Sequence, residues 1–130
     1  MTDRLANAID ILDHLVAFPS ISGRPNSDIT GYIRDVLANH GIDSTLSFEE
    51  TGERANVFAT IGPAVDGGVV LNGHTDVVPV EGQAWRTDPF VLTRDGDRLY
   101  GRGSVDMKGF LACVLASAPM FKAANLTRPI

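Results

Sequence analysis

The sequence predicts an α/β protein with a mixed, mostly parallel central sheet. Two observations carry that reading. Helical periodicity occupies three separated stretches, two near the start and one after Asp106, with extended apolar runs between them. One of those runs, Val69-Val70-Leu71-Asn72, is continuous and β-branched, as in a strand covered on both faces, and it leads directly into Gly73-His74-Thr75-Asp76. Helix, helix, strands, helix, strand is the order of a chain whose helices flank one sheet.

The elements follow in order. Leu5, Ile9, Leu12 and Val16 recur at helical spacing, predicting a helix over 3–18 that Thr2 or Asp3 can cap. Phe18-Pro19 ends it, because the residue before a proline is pushed out of the helical region. A second helix is expected at 28–40, with Ile29, Ile33, Val36 and Leu37 as its apolar stripe, Ser27 as N-cap and Gly41 as its stop. Residues 42–48 read as an edge strand, 56–61 as a more apolar one and 69–72 as the central one, with loops at 49–54 and 63–68. Phe90 to Thr93 and Arg98 to Tyr100 flank Asp95-Gly96, a strong hairpin signal. The third helix begins after Asp106. Met107, Phe110, Leu111, Val114, Leu115 and Ala118 share its apolar face, and Pro119 should kink or end it.

Composition narrows the function classes. A chain of 130 residues, 44% hydrophobic and 21% charged, has the make-up of one soluble globular domain. A formal charge of −5 with no cluster of Lys or Arg speaks against a nucleic-acid surface. No apolar run approaches the roughly 18–20 residues that cross a bilayer, and Met1-Thr2-Asp3-Arg4 does not open a signal peptide. A single cysteine, Cys113, permits no internal disulfide, fits a reducing compartment such as the cytoplasm, and reads as a small core residue.

Three residues carry candidate chemistry. His74 and Asp76 are separated by one residue at a strand's carboxyl end, so both side chains share a face. Neutral imidazole is a good zinc ligand, and a neighbouring carboxylate can fix its tautomer. The alternative is a buried histidine hydrogen-bonded to a strand-end acid. Asp106 can bridge two cations, as carboxylates do in two-metal hydrolytic sites, or it can cap the third helix. Gly101-x-Gly103-x-x-Asp106 imitates a dinucleotide fingerprint, but an aspartate where the third glycine belongs would repel phosphate. Arg102 can steer an anion or pair with Asp97 or Asp106. Trp85 and Phe90 read as packing residues, His14 and His40 as structural, and Glu49-Glu50 as solvated surface.

Joined in order, the motifs are more specific than any one alone. Gly73-His74-Thr75-Asp76-Val77-Val78-Pro79, Trp85-x-x-Asp88-Pro89-Phe90, Asp95-Gly96 and Leu99-Tyr100-Gly101-Arg102-Gly103-x-x-Asp106-Met107-Lys108-Gly109 resemble the zinc amidohydrolase and exopeptidase family. That family includes acetylornithine deacetylases, succinyl-diaminopimelate desuccinylases, aminoacylases and glutamate carboxypeptidases. The opening Ala17-Phe18-Pro19-Ser20-Ile21-Ser22 is similar too, and Gly82 to Trp85 and Met107 to Ala116 are most similar to the acetylornithine deacetylase type.

The resemblance implies a partial three-layer α/β/α catalytic domain, with residues 1–130 its N-terminal part, truncated after the third helix. By position, His74 would bind one zinc ion, Asp106 would bridge two, and Asp76 would be the catalytic-site acid that holds the His74 ring. It implies Zn2+ as cofactor, two ions per complete site with Co2+ a possible substitute. The implied substrate is a small N-acylated amino acid, typically N-acetylornithine cleaved to ornithine and acetate in arginine biosynthesis; another amidohydrolase or dipeptidase of the family, or a non-catalytic fragment, are the alternatives. The implied complete enzyme is a homodimer whose glutamate base, remaining ligands and smaller dimerisation domain lie beyond this chain. The 130-residue chain alone is accordingly expected to be inactive, to bind zinc weakly and to be prone to association.

Overall fold

The computed structural model describes residues 4–130. The caps suggested at Thr2 and Asp3 lie outside the described residues. Helix α1 spans Arg4–Ala17, α2 Ser27–Asn39 and α3 Lys108–Ala123. The strands are β1 (Ser44–Phe48), β2 (Ala55–Ala59), β3 (Thr93–Asp95) and β4 (Arg98–Tyr100). The α/β class therefore holds, with three helices and two small sheets among the described residues.

The core lies where the three helices meet. Helix α1 buries Ile11, Leu12, Leu15 and Val16, and packs chiefly on α3. Leu5 stays exposed and Ile9 half-buried, so the buried stripe runs through 11, 12, 15 and 16, not 5, 9, 12 and 16. Ile29, Ile33 and Leu37 of α2 and Ala112, Leu115 and Ala116 of α3 complete the core.

The two ends of α2 follow different rules. Ser27 is the first helical residue and not the cap; Asn26 holds the cap position without a side-chain capping bond. Its amide is used elsewhere, accepting from Ala55 N at 2.9 Å and donating to Ala55 O at 2.9 Å, so one side chain mimics a strand partner and ties α2 to β2. At the other end Gly41 has φ +64°, and Gly41 N donates to Ala38 O while Ile42 N donates to Leu37 O. That is a Schellman stop, and the left-handed position explains the glycine. Ile42, now buried, joins Leu37 in the core.

The sheets are smaller than the sequence suggests. Strands β1 and β2 pair antiparallel, Ser44 opposite Ala59 and Phe48 opposite Ala55. Strands β3 and β4 pair with Asp95 opposite Arg98, leaving only Gly96-Asp97 as the turn. Among the described residues parallel pairing is confined to one bridge, Ile21 to Val77. Residues 69–72 form no ladder; Val69 N reaches Pro129 O at 3.1 Å, and Ile61 and Ile130 exchange two bonds nearby. A strand is made by its neighbours, and this segment has one contact instead of two flanking ladders. Val69 and Val70, expected to be covered on both faces, are 60% and 79% exposed.

Helix α3 starts two residues after Asp106, with Met107 at its cap position, so Asp106 does not cap it. Pro119 lies inside the helix and does not end it. Lys108, Ala112, Leu115, Ala116 and Ala118 are buried, and Met107, Leu111, Val114, Leu115 and Phe121 line a groove of about 1400 Å³ that also borders residues 69–76 and β2. Cys113 is exposed and not part of the core. Among the described residues, no helix is long and apolar enough to cross a membrane.

Candidate metal centre

The site is assembled by three loops. The first, Gly73 to Val77, continues the extended 69–72 segment. Val77 is pinned to the turn after α1: Val77 N donates to Ser20 O at 2.9 Å, and Ser22 N to Val77 O at 3.0 Å. The second is the glycine-rich turn from Gly101 to Met107. Gly103 has φ +82°, and a Cβ there would stand 2.6 Å from Val77 Cγ1. The bare glycine lets this turn lie directly against Val77, which brings Asp106 over to His74. The third loop is residues 18–22 themselves.

Both nitrogens of His74 are engaged. Nδ1 lies 2.9 Å from Asp76 O and 3.1 Å from Asp76 Oδ1. Nε2 lies 3.0 Å from Asp106 Oδ1. The structure thus brings together all three residues singled out in the sequence. His74 is half exposed and the Asp106 side chain is 86% exposed, so the buried-histidine reading of His-x-Asp fails. With Ser22, Val77, Val78 and Arg102 they line a shallow cavity of about 120 Å³.

Electrostatics follow from these contacts. Partial burial disfavours the His74 imidazolium, but hydrogen bonds to Asp106 and the Asp76 carbonyl, with the charge of both carboxylates, outweigh it and raise its pKa. The hydrogen bond from Ser22 Oγ, at 2.5 Å from Asp76 Oδ2, is the main cause holding the Asp76 carboxyl below its usual range; the charge of His74 adds to it.

The donor set suits a cation. An imidazole nitrogen and a carboxylate oxygen are standard zinc donors. Bonds of about 2.0–2.1 Å in a tetrahedral site put neighbouring donors about 3.3 Å apart, close to the 3.0 Å between His74 Nε2 and Asp106 Oδ1. Asp76 fits the supporting role, since its carboxylate is turned toward Ser22 and Nδ1. Among the described residues no group of three or more His, Cys, Asp or Glu is arranged to hold an ion.

The neighbouring residues are mostly structural. Arg102 pairs with neither Asp97 nor Asp106; its guanidinium lies 5.1 Å from the Trp85 ring centre and donates to Gln83 Oε1. Trp85 Nε1 donates to the same oxygen at 3.0 Å, so Arg102, which lines the cavity, is tied to the 83–85 loop. Glu49 folds its own turn, accepting from Thr51 Oγ1 and from the Thr51, Glu53 and Arg54 amides, which lowers its pKa to about 2. A carboxylate so held is no base for the cavity. His14 stacks on Tyr32 with ring centres 5.3 Å apart, and His40 is the C-cap of α2.

Two functional neighbours escaped sequence reasoning. Ser22 contacts Asp76 across 54 positions of chain. Lys108 is fully buried, and its Nζ donates to Phe18 O at 2.7 Å. Neither has a local signal, although both sit in segments that carry the family resemblance.

Comparison with known proteins agrees with the motifs. The sequence profile of the peptidase family M20/M25/M40 matches residues 70–130. The chain is 34% identical along its whole length to the acetylornithine deacetylase of Photorhabdus laumondii subsp. laumondii, of which it covers 35%. It is equally similar to those of Shigella sonnei and Proteus mirabilis, covering 36% and 35% of them. It therefore spans about a third of the length of these curated relatives. The crystal structure of human carnosine dipeptidase 1 superposes with a TM-score of 0.75 at 28% identity, over 91% of this chain and 28% of that one. Motifs, profile and neighbours agree in a similarity to the peptidase family M20/M25/M40, whose profile covers 61 of the 130 residues.

Proposed function

We propose that this chain is the opening part of the catalytic domain of a zinc-dependent amidohydrolase that removes the acyl group from a small N-acylated amino acid, N-acetylornithine in the first instance. The observation that carries the reading is the His74 ring, held at Nδ1 by Asp76 and facing Asp106 through Nε2. In this reading His74 Nε2 and the Asp106 carboxylate would hold metal, and the two oxygens of Asp106 would let it serve more than one ion. A metal held there would supply Lewis acidity toward the amide carbonyl and a water acidified toward about pKa 7. Asp76 keeps the proton on Nδ1, so the Nε2 lone pair faces the cavity. Arg102, on the wall of that cavity, is tied to the 83–85 loop.

Similarity to three proteins named acetylornithine deacetylase supports the acyl substrate. The likeness to a solved dipeptidase favours a second reading, in which the same centre cleaves a dipeptide. Both substrates offer an amide carbonyl beside an amino-acid carboxylate. The reading frame after Ile130 tests the proposal. A strand ending in paired glutamates, followed by activity of the longer protein on N-acetylornithine, is expected. A stop codon directly after Ile130 would contradict the enzyme reading, and preference for a dipeptide would select the second.

A further inference from the structure

Resting on the metal-site reading, we propose that Ser22 is a positioning residue for the hydrolytic site, acting through Asp76 to fix the tautomer of His74. An aspartate carboxylate turns broadly about its last torsion unless both oxygens are held. Here Oδ1 faces His74 Nδ1 at 3.1 Å and Oδ2 accepts from Ser22 Oγ at 2.5 Å. Among the described residues the hydroxyl's other acceptor, Val77 O, lies farther, at 3.3 Å. Its one proton therefore belongs to Asp76.

Ser22 is itself held. Its backbone N–H donates to Val77 O, and the preceding turn is fastened to both halves of the site. Ser20 Oγ donates to Thr75 O at 2.7 Å, inside the His74–Asp76 segment. Lys108 Nζ donates to Phe18 O at 2.7 Å from just beyond Asp106. Residues 18–22 thus act as a strap referenced to both loops, and Ser22 is the point where the strap touches a site carboxylate.

The consequence concerns the neutral ring. Two acceptors lie at Nδ1, the Asp76 carbonyl and Oδ1, against one exposed carboxylate at Nε2. With the carboxylate locked, the proton stays on Nδ1 and Nε2 keeps its lone pair for a cation. Without Ser22 the carboxylate rotates, one acceptor is lost, and the Nε2–H form gains. Ser22 is exposed, and its backbone bridge does not use the hydroxyl, so Ser22→Ala should fold.

The test is long-range 1H–15N NMR of the metal-free chain with 15N-histidine, above the titration of His74, its signals assigned with His74→Ala. The Nδ1–H form should predominate in the parent. In Ser22→Ala the ratio of Nδ1–H to Nε2–H should fall about 3- to 10-fold, with Ser22→Thr restoring it to within about twofold, as expected for one hydrogen bond of 0.5–1.5 kcal/mol. Zinc titration of the same proteins should show a parallel loss of affinity in Ser22→Ala. An unchanged ratio in Ser22→Ala, or failure of Ser22→Thr to restore it, would overturn the proposal. A shifted ratio in a chain that binds no zinc would uphold the positioning role and reject the metal-site reading.

Discussion

Lys108 gives the most quantitative handle on how the site is supported. Its ammonium is fully buried and makes one hydrogen bond, to Phe18 O, and burial pushes its pKa from 10.5 down to about 8. That displacement corresponds to about 3 kcal/mol against holding the charged form in the folded chain. The sign follows from proton counting. Between pH 8 and 10.5 the unfolded lysine binds more protons than the folded one, so stability rises with pH across that window. Lys108→Met keeps the length of the side chain and removes the titration. It also loses a charge-assisted hydrogen bond worth about 1.5–3 kcal/mol and leaves the Phe18 carbonyl without that donor. At pH 7 relief of the buried charge and loss of the bond nearly cancel, giving a net change within about 2 kcal/mol. By pH 10 the parent has gained about 2–3 kcal/mol relative to the variant. Tyr32, whose phenol burial and Asp10 push upward, titrates in both proteins and drops out of the difference. Urea unfolding followed by circular dichroism at pH 7 and pH 10 measures the two values. A stability difference that stays constant with pH would refute the buried-charge account.

Two further outcomes follow from local geometry. Gly103→Ala forces a Cβ within 2.6 Å of Val77 Cγ1 at a left-handed backbone position, so it should cost more than about 1 kcal/mol in urea unfolding and separate Asp106 from His74. The Glu49 carboxyl, held near pKa 2 by Thr51 and the turn amides, should titrate well below its ordinary 4.5 in 13C NMR. Because its folded pKa is depressed, its contribution to stability is present above pH 4.5 and lost as pH falls toward 2, and Glu49→Gln should lack that acid-side loss.

How much of this was legible in the sequence varies by element. Helices with strong periodicity were readable to within a residue or two: 3–18 became Arg4–Ala17 and 28–40 became Ser27–Asn39. The face of α1 was not, because which residues are buried depends on where α3 crosses, and that contact is non-local. Residues 69–72 have the composition of a central strand, yet composition does not supply the neighbours that make a ladder, and the segment stays extended and exposed. Pro119 sits inside α3 because tertiary packing of Leu115 and Ala118 offsets one missing helix bond. Of the site, His74, Asp76 and Asp106 were legible as candidates from residue type and spacing, and their metal roles came from the family resemblance of the joined motifs. Ser22 and Lys108 were not, since a serine in a turn and a lysine at a helix start have no signature until the fold brings them to Asp76 and Phe18.

The central claim is that His74 and Asp106 grip one cation together. Isothermal titration of zinc into the chain and into His74→Ala, Asp106→Ala and the double variant tests it directly. Donors to a shared ion are not additive, so each single variant should lose almost as much affinity as the double one. Losses that simply add, or zinc binding that survives removal of both side chains, would contradict the account.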